Sequence, residues 1–228
     1  EQPSVPIITD EACATPWTNV SMDFGSFPNG RLTAVIMDSH TKFPVVELVS
    51  FTAFSKVKPI LEKVFALLGI PSEVKRDNGP LFQGQNFQRY HSSLDIHHRK
   101  ITPQWPQANG EVVRFMRTLN KAIRIGVDHR EDTECCLHRF LVAYHQTPHS
   151  TTCTLSELMF KRYTKDIIPA GPSWSPVTVD LHATQEKRRS NNNRASKYRG
   201  AVNPDMQVGD NVVMKDRHPG GKFCTPMS

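Results

Sequence analysis

Short alternating or continuous apolar runs fill the stretch just after Pro16, and helical periodicity takes over beyond residue 54. Residues 18–24, 32–37 and 45–49 are apolar or alternating, and Pro28-Asn29-Gly30 and Lys42-Phe43-Pro44 separate them. Runs of this length punctuated by turn-forming residues predict three antiparallel strands. After Ser55, Val57, Ile60, Leu61, Val64, Phe65 and Leu68 recur at intervals of three and four until Gly69. That spacing lines up one apolar face of a helix, and the glycine supplies its stop. Val74 marks a short strand, residues 87–94 a helix and residues 96–101 another strand.

Residues 102–110 are rich in proline, glutamine and asparagine and read as a loop ahead of the next helix. From Asn109, Val112, Phe115, Met116, Leu119 and Ile123 form the buried stripe of that helix, which reaches about Val127. Leu137, Phe140, Leu141 and Tyr144 mark a further one. Three sequential strands followed by alternating helices and strands predict an α/β fold, a mixed five-stranded sheet flanked by helices. Residues 1–15 read as an extended lead-in and residues 16–168 as the body. Residues 169–228 read as a linker, a basic arm through Lys187, Arg188, Arg189, Arg194, Lys197 and Arg199, and the truncated start of a small β module at residues 208–215.

The chain has 228 residues, 38% hydrophobic and 22% charged, enough for one folded body plus an extension. Its formal net charge of +6 favours polyanionic partners, because cations that neutralise phosphates release condensed counterions. Cys13, Cys135, Cys136, Cys153 and Cys224 form no Cys-x-x-Cys pair, so neither zinc nor a disulfide framework is predicted. His97 and His98 are adjacent and would point to opposite faces of a strand. No apolar stretch approaches the roughly 20 residues that span a bilayer, so no membrane partner is expected. The chain opens without a secretory leader or initiator methionine, as expected of a processed product or fragment.

Asp23 and Asp77 each follow a short apolar run and precede a turn, so both could stand at one edge of the sheet. Carboxylates gathered there from distant segments suit hard divalent ions, which would clamp the attacking and leaving oxygens of a phosphodiester. Locally, Asp23 is equally readable as a turn residue and Asp77 as a cap, since Asp-Asn-Gly is a good turn sequence. The segments Trp17-Thr18-Asn19-Val20-Ser21-Met22-Asp23-Phe24, Arg76-Asp77-Asn78-Gly79-Pro80-Leu81-Phe82, Pro106-Gln107-Ala108-Asn109-Gly110 and Tyr144-His145-Gln146-Thr147-Pro148 occur in that order. Together they resemble the integrase catalytic core of gypsy-type long-terminal-repeat retroelements, over roughly residues 17–169.

The resemblance implies a ribonuclease H-like fold, with Asp23 and Asp77 as metal-binding catalytic residues. It also implies a glutamate after 35 intervening residues, and there the chain carries Val113. Valine cannot ligate magnesium, and Glu111 is turned by about 200° from position 113 on a helix. Magnesium or manganese is therefore expected to be weakly bound and the chemistry impaired. Cys153 and Lys161 also replace glycines common in such cores. DNA is the expected partner, touched by Gln107, Asn109, Arg114, Arg117, Lys121 and Arg124; self-association is compatible with this reading. Integration implies a nuclear place of action, with the cytoplasm as the alternative. The competing expectation is a domesticated or degenerate DNA-binding protein without catalysis.

Overall fold

Five strands form one mixed sheet, built from β1 (Asn19–Ser26), β2 (Leu32–Asp38), β3 (Pro44–Val49), β4 (Glu73–Arg76) and β5 (His97–Lys100). Their order across the sheet is β3-β2-β1-β4-β5. The first three are antiparallel neighbours, and β4 and β5 continue the sheet in parallel with β1. The computed structural model describes residues 15–76, 84–100, 110–148, 153–162 and 164–165, with 186, 187, 190, 191 and 194 beyond them. The chain divides into one unit of Asp10–Arg188 and another of Glu1–Thr9 with Arg189–Ser228, and every strand lies in the first. The predicted loop over residues 102–109 and the β module over residues 208–215 lie outside the described residues, as does most of the lead-in and of the basic arm.

Period-two alternation sorts the side chains into two cores. Val20 and Met22 of β1, with Ala34 and Ile36 of β2, pack against helix α1 (Phe54–Leu68) and helix α2 (Gln85–Ser93). Val35 and Met37 of β2, with Val46 of β3, face the other way. They meet helix α3 (Gly110–Asp128) and helix α4 (Thr133–Gln146). Val112, Phe115, Leu119 and Ile123 supply the buried stripe of α3, as their spacing predicts.

The turn that ends β2 is built on a buried carboxylate. Asp38 accepts the Trp17 N–H at 3.0 Å, the Thr41 N–H at 2.7 Å and the Thr41 hydroxyl at 2.6 Å. A carboxylate removed from water persists when its lone pairs are filled in this way. The earlier turn closes at Gly30, whose φ of 81° is easy only for glycine.

Beneath β4 and β5, a cationic side chain is wholly enclosed. Arg76 is 1% exposed; its Nε–H donates to His98 Nδ1 at 3.2 Å, and its guanidinium lies 5.5 Å from the centre of the Phe87 ring. His91 is also fully buried, with its ring 4.0 Å from that of Phe87 and Nδ1 3.1 Å from the Phe87 carbonyl oxygen. Burial, assisted by His98 and Arg76 and opposed by the Phe87 carbonyl, lowers the His91 pKa to about 4. The exposed His97 and half-buried His98 point to opposite faces, as adjacent strand residues should.

A short helix, α5 (Leu155–Phe160), was not anticipated from periodicity because it has too few turns to show any. Its signal is the capping box: Thr154 accepts the Glu157 N–H, and the Glu157 side chain returns to the Thr154 N–H. The helix ends at Lys161 in the left-handed region, φ 56°. A non-glycine residue there is strained, so the lysine that departs from the resembling family's glycine occupies a position whose backbone favours glycine.

Lys161→Gly is therefore expected to raise stability by about 0.5–1 kcal/mol, the relieved strain exceeding the added unfolded-state entropy, as read by urea unfolding. The depressed His91 pKa has a pH signature of definite sign. Its unfolded imidazole takes up a proton near pH 6.5 and its folded one near 4, so this contribution is full above 6.5 and is lost as pH falls towards 4. The loss should total about 3 kcal/mol. Unfolding curves at pH 7.5 and 4.5 should show most of that drop absent in His91→Phe.

Candidate catalytic centre and its helix

Asp23 lies near the C-terminal end of β1, half-buried, directly opposite Val35 of β2. Val20 and Met22 belong to the α1–α2 core, so Ser21, Asp23 and Gly25 are on the face that α3 covers. One Asp23 oxygen accepts the N–H of Phe24 at 2.8 Å. On the neighbouring strand, Arg76 pairs with Met22. Asp77, the residue after it, lies outside the described residues.

The height of α3 over β1 follows from two contacts. At Gly25, a Cβ would overlap the methyl group of Met116, so the helix is seated where β1 has no side chain. At the helix's first turn, Glu111 forms an ion pair with Lys42, in the turn after β2. That turn adjoins Asp38, which pairs with Val20 at the start of β1. The helix therefore advances in the same sense as β1. Stepping back three residues from Met116 retreats about 4.5 Å along the helix, and two residues back from Gly25 retreat about 6.7 Å along the strand. Position 113 falls at the height of Asp23.

The lateral position follows from rotation. Relative to buried Val112, Met116 lies about 40° round the helix and Val113 about 100° in the same sense, whereas Glu111 lies about 100° in the other. Met116 touches β1, so Val113 occupies the β1 flank, 38% exposed. An apolar side chain there contributes little burial and no ligand. Glu111 is engaged on the opposite flank by Lys42 and cannot stand in for a carboxylate at 113 without turning the helix.

The cations predicted to touch nucleic acid divide between these flanks. Arg117 and Arg124, both exposed, lie about 140° and 120° round from Val112, on the Val113 side. Exposed Lys121 projects from the back of the helix. Arg114 stands nearer α4, where it opposes the rise that burial and Glu111 impose on the Tyr144 phenol pKa. The six residues thus do not form one surface: Arg117 and Arg124 share a flank, Arg114 and Lys121 lie elsewhere, and Gln107 and Asn109 are outside the described residues. Among the described residues, no group of three or more histidine, cysteine or acidic side chains could hold a metal ion. Asp23 offers hard oxygen donors suited to magnesium, but Val113 offers none, so a third carboxylate is lacking at that position.

The Met116–Gly25 seating and the Lys42–Glu111 pair had not been singled out from sequence. A glycine inside an otherwise apolar strand is a readable sign of close approach by another element, but it does not say which helix approaches. The ion pair joins residues far apart in the chain and has no local signature.

No family profile matches the chain. It is 30% identical over 135 residues to an uncharacterized protein of Caenorhabditis elegans, covering 59% of this chain and 11% of that protein. It is 30% identical over 107 residues to the Gag-Pro-Pol polyprotein of Mason-Pfizer monkey virus, covering 47% and 6%. Against the transposon Tf2-3 polyprotein of Schizosaccharomyces pombe the identity is 25% over 225 residues, covering 90% and 17%. The chain thus spans a small part of each relative's length. Among solved structures, a simian T-cell lymphotropic virus intasome in complex with the PP2A regulatory subunit B56 gamma matches with TM-score 0.62 and 23% identity. The match covers 78% of this chain and 66% of that one. The HTLV-2 integrase catalytic core in complex with magnesium matches with TM-score 0.55 and 18% identity, covering 64% and 98%.

Proposed function

We propose that this chain, a relative of retroviral and retrotransposon polyproteins with the fold of an integrase catalytic core, is a DNA-integration core weakened in its chemistry by Val113. The observation that carries the reading is the position of Val113, level with Asp23 on the flank of α3 that borders β1. A divalent-metal centre supplies charge stabilisation to the attacking and leaving oxygens of a phosphodiester. Asp23 and Asp77 are the ligands assigned here. The register supports their pairing, since Met22 and Arg76, the residues preceding them, are partners across β1 and β4.

Magnesium in the HTLV-2 neighbour supports the choice of a hard divalent ion for the family. In this chain the ligand set does not fit that ion fully, so metal affinity is reduced and strand transfer is weak or absent. DNA affinity does not depend on the missing carboxylate. Arg117 and Arg124 supply mobile cations to a phosphate backbone, and a glutamate at 113 would bring negative charge closer to them. A degenerate, non-catalytic DNA-binding protein is the reading that remains if no ligand completes the centre. Self-association is proposed on the dimeric form of the HTLV-2 core, and nuclear action on the chemistry of integration.

Strand transfer of oligonucleotide ends in magnesium and manganese should be at or near background for the chain as it stands and should rise at least about tenfold in Val113→Glu. Robust joining by the unmodified chain would sink the proposed impairment. Duplex DNA binding should persist without metal and weaken as salt rises. Arg117→Ala and Arg124→Ala should each lower affinity and reduce the slope of log affinity against log salt by about one. Absence of binding at low salt would remove the DNA assignment.

A further inference from the structure

The half of the sheet beyond β1 presents a face that the α3–α4 core leaves uncovered. That core draws its buried strand residues from β2 and β3, and none from β4 or β5. Val74 packs into the α1–α2 core and Arg76 lies against Phe87 of α2, so Glu73 and Lys75 are on the α3 side. On β5, His98 meets Arg76 and its neighbours His97 and Arg99 project oppositely. Register then fixes two rungs on this face: Ser21, Lys75 and Arg99 side by side, and Asn19, Glu73 and His97 below them. Strands are spaced about 4.8 Å apart, so Lys75 and Arg99 form one closely spaced cationic rung. The next position along β1 on the same face is Asp23.

We infer that Lys75 and Arg99 form a track for one phosphodiester backbone of duplex DNA, across the sheet from the Arg117 and Arg124 flank of α3; this rests on the DNA-binding reading above. Three features favour a phosphate backbone as occupant. Arg99 has a half-exposed side chain and pairs with Glu73 only at 3.9 Å, a surface contact whose small energy a charge-assisted phosphate bond can replace. His97, one rung below, is exposed and adds a hydrogen-bond donor. The acids Asp23 and Glu73 on the same face repel a polyanion from the rest of the floor, confining it to the Lys75–Arg99 rung. Cations on the sheet and on α3 therefore bracket Asp23, whereas the predicted site residues provide cations on the helix alone.

The test is fluorescence anisotropy of a labelled blunt DNA duplex over a salt series, using the full chain. Lys75→Gln, Arg99→Gln, Arg99→Lys and the control Lys63→Gln on α1 would be compared with the unmodified protein. Each glutamine change on the rung should weaken binding by about threefold to tenfold and lower the salt slope by about one. Arg99→Lys should restore most of the slope, and Lys63→Gln should leave both quantities unchanged. Rung variants that bind like the unmodified chain, while Arg117→Ala and Arg124→Ala weaken it, would overturn the track and leave the DNA assignment standing. Weakened binding with an unchanged salt slope would also overturn it, because the loss would not come from phosphate contacts. An unmodified chain that binds no duplex at low salt would remove the underlying DNA reading and the track with it.

Discussion

The seating of α3 on β1 at Gly25 fixes the relation between the helix and the sheet on which the candidate centre depends. Because β1 has no side chain there, Met116 descends onto the strand, and the remainder of the helix is set by its 1.5 Å rise and 100° turn per residue. Two consequences follow from that one contact. Position 113 is brought to the height of Asp23, and Glu111 is sent to the other flank, where Lys42 holds it. A helix packed through Val112, Phe115, Leu119 and Ile123 cannot rotate by the third of a turn or more that exchange of these positions would demand without exposing part of that stripe. Burying such side chains contributes about 1.5–3 kcal/mol each, so a single carboxylate's preference for a metal does not outweigh the rotation.

The opposite face of the sheet solves a different problem, that of an enclosed cation. Arg76 ends the described part of β4 and spends its side chain among Phe87, His91 and His98. A guanidinium stays charged at any accessible pH, so its two histidine neighbours experience a fixed positive field. Burial and that field both act against imidazolium, and His91 remains neutral until well below neutrality. The aromatic rings supply an electron-rich face to the cation, and the His98 nitrogen accepts from it. This polar packing restrains the strand that precedes Asp77 in the chain.

Most of the architecture was legible because its elements bury one regular face. Strand alternation predicted β1 to β3 to within about two residues, and the three-and-four spacing predicted α1 and α3. The helix α5 escaped because six residues are too few for periodicity, although Thr154 and Glu157 spell its start. The centre was legible in part. Asp23 was placed at a strand end by its flanking pattern, and the opposed flanks of Val113 and Glu111 followed from counting residues round a helix. The gathering of Arg114, Arg117, Lys121 and Arg124 into one surface did not follow, because a cluster in sequence spreads over about 200° of rotation when residues are not spaced by three or four. The Lys75–Arg99 rung was invisible for a related reason: each residue is unremarkable on its own strand, and only parallel register makes them neighbours.

Val113 separates two demands that coincide in an intact centre. Folding asks of this flank of α3 only that it tolerate partial exposure, and a valine meets that demand at small cost: its β-branch lowers helix propensity by a fraction of a kcal/mol. Chemistry asks for an oxygen donor at the height of Asp23, and no rotamer of valine supplies one. Loss of the ligand therefore leaves no trace in packing; the stripe of α3, the Gly25 seating and the Lys42–Glu111 pair all stand. The same independence holds for the cations, since Arg117, Arg124, Lys75 and Arg99 project from elements whose burial is settled by other residues. A scaffold arranged in this way can surrender its metal chemistry by one substitution while keeping the surface through which it would meet DNA.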